Sequence, residues 1–148
     1  MKRLKLMIGA VATTMAVSGL ALGGAAPAQA ASCTSYIYGS GGSGPCVANI
    51  QKMLNGVANA EAHGDPTRGC NSLYLHYIAT DGSWGPRTDT AVRRFQGWTC
   101  SKVDGVVGPA TWRALCGEAG DHYMHVSPVS WQRIAWAAAK NSGCTVHS

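Results

Sequence analysis

Asp81-Gly82-Ser83-Trp84-Gly85-Pro86-Arg87-Thr88 recurs 23 residues later as Asp104-Gly105-Val106-Val107-Gly108-Pro109-Ala110-Thr111. The Asp, both Gly, the Pro and the Thr match, and each copy leads into a segment of apolar periodicity. Such a match, twice in a short chain, is an internal repeat. Its residue types have mechanical roles. Asp-Gly makes a tight turn, with Asp bonding backbone amides and Gly supplying a positive φ. The second Gly caps a helix, and Pro takes the first helical position, where its missing N–H is no loss. Thr, two residues on, can bond back toward the cap. Trp84 and Val107 are expected to plug inward. The repeat therefore predicts turn-then-helix twice, with helices over 86–97 and 109–116. In this reading Asp81, Gly82, Gly85, Pro86, Thr88, Asp104, Gly105, Gly108, Pro109 and Thr111 are structural.

Upstream, Val47, Ile50, Leu54 and Val57 recur on one helical face, with Met53 beside them. Pro45 and Gly56 serve as start and stop signals, so a helix is predicted over 46–57. Residues 39–45, Gly-Ser-Gly-Gly-Ser-Gly-Pro, read as a flexible stretch that buries nothing, within an N-terminal arm over 31–45. Residues 64–69 read as a turn or loop cluster, and residues 72–78 as a short strand or extended segment. Downstream, a further helix is predicted over 128–141, with Trp131, Ile134, Ala135 and Ala138 on one face and Gly143 as its stop.

The chain opens with Lys2, Arg3 and Lys5, then an apolar small-residue run to about Ala26, then Ala28-Gln29-Ala30. A charged start, an apolar middle and an A-x-A exit make a secretory signal peptide over 1–30. A membrane anchor is the competing reading, but the run is rich in Gly, Ala and Thr. The full chain carries twelve basic and seven acidic residues, a net +5. Without the three basic residues of the leader, nine face seven, or +2, too mild for a nucleic-acid footprint. It is compatible with an anionic polymer such as a cell wall.

Six cysteines, Cys33, Cys46, Cys70, Cys100, Cys116 and Cys144, all follow the leader. In a small exported chain they imply disulfides. Zinc is disfavoured by long spacings and the lack of C-x-x-C. Six cysteines allow fifteen pairings, and the sequence chooses none of them.

Val47-x-x-Ile-Gln-x-x-Leu-Asn, then D-G-S-W-G-P-x-T-x-x-A-V-x-x-F-Q, then V-D-G-V-V-G-P-x-T-W-x-x-L, resembles the peptidoglycan-binding-like domain, over about Cys46 to Cys116. In its leader and extra cysteines the chain resembles exported proteins of actinomycetes. The resemblance implies a compact, non-catalytic helical domain, usually attached to a hydrolase, that recognises cell-wall peptidoglycan. The chain departs from the pattern in a longer segment over 56–80 and in Trp98-Thr99-Cys100-Ser101-Lys102, where an apolar stretch is common. No hydrolase domain is expected within these 148 residues.

Catalysis is weighed against this. His122 and His125 form an i, i+3 pair in an expected loop, without H-E-x-x-H. The acidic residues after the leader are Glu61, Asp65, Asp81, Asp89, Asp104, Glu118 and Asp121. Asp81 and Asp104 belong to turns, which leaves no evident pair for glycoside hydrolysis. A cysteine nucleophile conflicts with the disulfide framework. For binding, sugars stack on aromatic rings and carboxylates seek arginine or helix N-termini. Tyr74, Tyr77 and Trp98 are the candidate exposed aromatics, and Arg87, in the first turn of the second helix, is the candidate for a stem-peptide carboxylate. Phe95 and Trp112 read as core, and Arg93-Arg94 as a solvated face.

The expectation is an all-α fold: a small three-helix bundle over 46–116 with two D-G-x-x-G turns, an extra C-terminal helix within 117–148, and disulfide staples. The expected function is non-catalytic binding of peptidoglycan outside the cell, by a monomer without cofactor or metal. No nucleic acid, and no membrane after leader removal, is expected as partner. The alternative is an extracellular interaction or hydrolase-inhibitor module, with a secreted hydrolase as partner.

Overall fold

A computed structural model describes residues 32–62, 69–71 and 77–148. The expected leader, the turn at 64–68 and the segment 72–76, which includes Tyr74, lie outside the described residues. The Gly-Pro pairs start helices where the repeat predicts them: α2 (Pro86–Trp98) and α3 (Pro109–Ala119) each have Pro at the first position. Gly85 and Gly108, in extended backbone, are their caps. Before them lies α1 (Pro45–Ala62), and after them α4 (His122–Val126) and α5 (Ser130–Ser142). A 3-10 turn, Cys33–Ser35, precedes α1. The described residues contain no strand, only two isolated bridges, so the fold is all-α.

Gly56 does not stop α1, which runs past the expected end at 57 to Ala62. A Cβ at position 56 would lie 2.2 Å from Ala135 Cβ and 2.7 Å from the Trp131 carbonyl. Gly56 is therefore the notch that seats α5 on α1. An interior glycine costs about 1 kcal/mol relative to alanine. Here the close approach it permits opposes that cost, and α1 packs more extensively against α5 than against any other element.

The C-terminal segment is part of the core. Ala119, Met124, Ala135, Ala138 and Ala139 join Val47, Ile50, Leu54, Phe95 and Leu115 in one buried cluster. The buried row of α5 also includes Gln132 and Ser142, while Ile134 faces outward and Trp131 is half-buried. The expected apolar face is thus rotated. Gly143 ends α5 as expected, in left-handed backbone, with Cys144 N–H donating to Ala139 and Gly143 N–H to Lys140. The expected loop before Pro128 contains α4, which Asp121 caps by accepting the Tyr123 amide at 2.8 Å.

The N-terminal arm also departs from expectation, because its glycines make backbone hydrogen bonds. Tyr38 and Val107 exchange both backbone bonds, at 3.2 and 2.9 Å. Gly44 N–H donates to Gly82, and Trp84 N–H donates to Gly42, both at 2.9 Å. Residues 38–44 thus form a strap joining the two repeat turns. Trp112 reinforces it by donating its indole N–H to the Tyr36 carbonyl at 3.0 Å. All six cysteines are paired: Cys33–Cys46 closes the strap, Cys70–Cys100 ties the segment before the first turn to the end of α2, and Cys116–Cys144 ties α3 to the chain end.

Candidate functional site

Each repeat turn is organised around a buried glutamine that arrives from a preceding helix. Gln51, on α1, donates through Nε2 to Asp81 Oδ1, the Ser83 carbonyl and Thr88 Oγ1 at 2.9–3.1 Å. Its Oε1 accepts the Gly82 amide at 2.9 Å. Gln96, near the end of α2, does the same for the second copy. Its Nε2 donates to Asp104 Oδ1, the Val106 carbonyl and Thr111 Oγ1, and its Oε1 accepts the Gly105 amide. Both glutamines are 1% exposed. A buried amide is tolerable only when its donors and acceptor are satisfied, and here they are.

Asp81 and Asp104 also accept the amides of Ser83 and Val106 across their own turns. The Ser83 amide, then Gln51, holds the Asp81 carboxyl below its ordinary value. Gln96, then the Val106 amide, does so for Asp104. These are stably ionised structural carboxylates, unlike a general acid, whose pKa must be raised. Trp84 and Val107 are buried, as the inward-plug reading expects. The Thr hydroxyls donate into the turns, to Ser83 and Val106, and not to the helix caps. Sequence reasoning missed Gln51 and Gln96. The available signal was a glutamine on an apolar helix face, four residues after Val47 and Val92 respectively.

Beside the first turn, on the outer side of α2, lies a groove of about 390 Å³. Ile78, Pro86 and Ala91 supply its apolar surface, and Tyr77, Arg87, Thr90 and Arg94 line the rest. A second hollow of about 400 Å³ shares Ile78, Pro86 and Arg87 and extends along the turn past Asp81, Ser83 and Gly85. A third, near the end of α2, shares Thr90 and Arg94 and adds Asn71, Arg93 and Val103. Together they form a trough along α2. Arg93 is paired with Asp89 at 2.8 Å. The fold therefore brings Tyr77 and Arg87 together and adds Arg94, whose exposed face, expected from its Arg93-Arg94 context, borders the same groove.

Tyr77 is 54% exposed yet held in place. Its ring stacks on Trp131 of α5, with centroids 5.3 Å apart and planes at 27°. Its hydroxyl bonds Asn59 of α1. The stack places an oriented aromatic wall over one side of the groove.

Trp98 corrects the sequence reading. It is 3% exposed and packs against Phe95, so it presents no ring to solvent. It sits at the end of α2, on the buried side with Ala91 and Phe95. Phe95 and Trp112 are buried as expected. His122 and His125 lie on α4 with ring centroids 6.3 Å apart, and His125 stacks on Trp136 at 4.3 Å. No group of three or more His, Cys, Asp or Glu among the described residues could hold a metal ion. No helix among them is long and apolar enough to cross a membrane.

Residues 70–115 match the family described as "Putative peptidoglycan binding domain". The matched stretch contains both turns, α2, most of α3 and every described residue that lines the groove of about 390 Å³. A 45-residue stretch is 49% identical to a protein of Kitasatospora aureofaciens named "Uncharacterized protein in bpoA1 3'region". It covers 30% of this chain and 38% of that protein, so the chain spans well under half of that relative's length.

Proposed function

We propose that this protein is a secreted, non-catalytic binder of bacterial cell-wall peptidoglycan, and that the trough along α2 is its contact surface. The observation that carries the reading is position: the described residues that line the groove, Tyr77, Arg87 and Arg94 among them, all fall within the stretch that matches a peptidoglycan-binding family. A groove that combines an apolar floor, an aromatic wall and a few polar groups suits a ligand with both apolar and charged parts. Three disulfides and a leader-type N-terminus support export. The ionised turn carboxylates support binding over hydrolysis.

Co-sedimentation with insoluble sacculi tests this. The expected result is retention of the protein in the pellet with no soluble fragments released over hours. Release of fragments would replace the reading with a hydrolase. Failure to sediment, together with capture of a secreted protein, would replace it with an interaction module.

A further inference from the structure

We infer that Trp131 of α5 and Asn59 of α1 are positioning residues for binding: neither touches the ligand, and together they hold the Tyr77 ring ready for it. This rests on the peptidoglycan reading above. It extends the working part of the molecule to helices on both sides of the matched stretch, since α1 ends before residue 70 and α5 begins after residue 115.

The repeat scaffold does not require the ring, because at the 23-residue offset Tyr77 meets Cys100. Tyr77 lies in a segment without regular structure and is 54% exposed. An exposed side chain on such a segment samples several rotamers, and fixing one of them on binding weakens affinity. Here the rotamer is fixed in advance. The ring stacks on Trp131, and the hydroxyl accepts from the Asn59 side chain.

The helix crossing sets both partners. A Cβ at Gly56 would lie 2.7 Å from the Trp131 carbonyl, so α1 and α5 meet at this residue. Asn59 follows Gly56 by three positions and shares its face of α1. Core packing does not explain a tryptophan at position 131. The buried row of α5 is Gln132, Ala135, Ala138, Ala139 and Ser142, and Trp131 stands half-buried beside it. Neither Trp131 nor Asn59 lines the groove or the two hollows that extend it, whereas Tyr77 does line the groove. Their route to a ligand therefore runs through the tyrosine ring.

The test is a pair of double-mutant cycles, with apparent affinity for insoluble sacculi read by co-sedimentation well below each variant's unfolding transition. Tyr77→Ala should weaken binding about tenfold and Trp131→Leu about fivefold. The double variant should bind no more weakly than Tyr77→Ala alone, because Trp131 has nothing left to position. Trp131→Phe, which can still stack, should restore binding to within about twofold of the parent. Asn59→Ala should weaken binding about threefold in the parent and not at all in Tyr77→Phe, which lacks the hydroxyl. Trp136→Leu is the control. This second half-buried tryptophan of α5 stacks on His125, so its loss should leave binding unchanged. If Trp131→Leu does not fold, the cycle of Asn59→Ala with Tyr77→Phe decides alone. Additive losses, unchanged binding in Trp131→Leu and Asn59→Ala, or equal weakening by Trp136→Leu would each overturn the positioning role and leave the peptidoglycan reading intact. Failure of the parent protein to sediment with sacculi overturns both.

Discussion

At the scale of single residues, the two buried glutamines make the repeat a physical duplication. Gln51 and Gln96 each gather a carboxylate, a turn amide, a carbonyl and a threonine hydroxyl at one point. Replacing either by alanine orphans several buried groups at once. We expect a loss of about 2–4 kcal/mol in each case, from the cost of unsatisfied buried groups, measured by denaturant unfolding. The two should differ in function, because Gln51 lines the trough and Gln96 does not. Gln51→Ala should reduce sacculus binding even in the fraction that remains folded, whereas Gln96→Ala should cost stability alone. The carboxylates they hold have depressed pKa values, so their contribution is present above the ordinary value of 3.8 and is lost as pH falls below it, through the lower folded values. Stability should therefore fall below about pH 4. Asp81→Asn and Asp104→Asn should flatten that acid limb while lowering stability at pH 7.

At the scale of elements, the helix starts were legible because Gly-Pro is a local instruction that needs no knowledge of the rest of the fold. The ends and roles of elements were not, because they depend on partners distant in sequence. Gly56 reads as a stop until α5, some 80 residues away, is seen to press on it. The Gly/Ser-rich arm reads as flexible because its composition buries little, yet its backbone pairs with both turns. Helix α4 is too short to show a period, and only its cap, Asp121, leaves a trace. Of the proposed ligand residues, Tyr77 and Arg87 were legible from residue type and position. Trp98 failed because an aromatic at a helix end can turn either way, and here it turns inward. Arg94 was missed because a pair of arginines on a helix is usually solvated surface. The α1–α5 contact gives a counterintuitive prediction. Gly56→Ala should gain about 1 kcal/mol in helix propensity and still destabilise the protein, because its methyl would overlap Ala135. A thermal scan would show the sign. An increase in melting temperature would mean that α5 shifts freely on α1.

For the whole molecule, the three disulfides divide the labour unequally. Cys33–Cys46 and Cys116–Cys144 fasten the two ends of the described chain to helices, while Cys70–Cys100 fastens the stretch that leads into Tyr77 and Ile78. Those two residues face the groove from a segment without regular structure, beside the ordered surface of α2. Holding that segment near the groove is therefore partly the work of the Cys70 bridge, helped by the Tyr77 stack on Trp131 and by the Asn55 side chain, which bonds both the amide and the carbonyl of Ile78. Each bridge should stabilise the fold by about 2–4 kcal/mol, mainly by restricting the unfolded chain. Replacing both cysteines of one bridge with serine should therefore lower stability in all three cases. Only the Cys70/Cys100 pair should also weaken sacculus binding measured well below the unfolding transition, where every variant is still folded. Equal weakening in all three variants would mean that the bridges act on binding only through global stability, and that the groove wall is held by its stacking and hydrogen bonds alone.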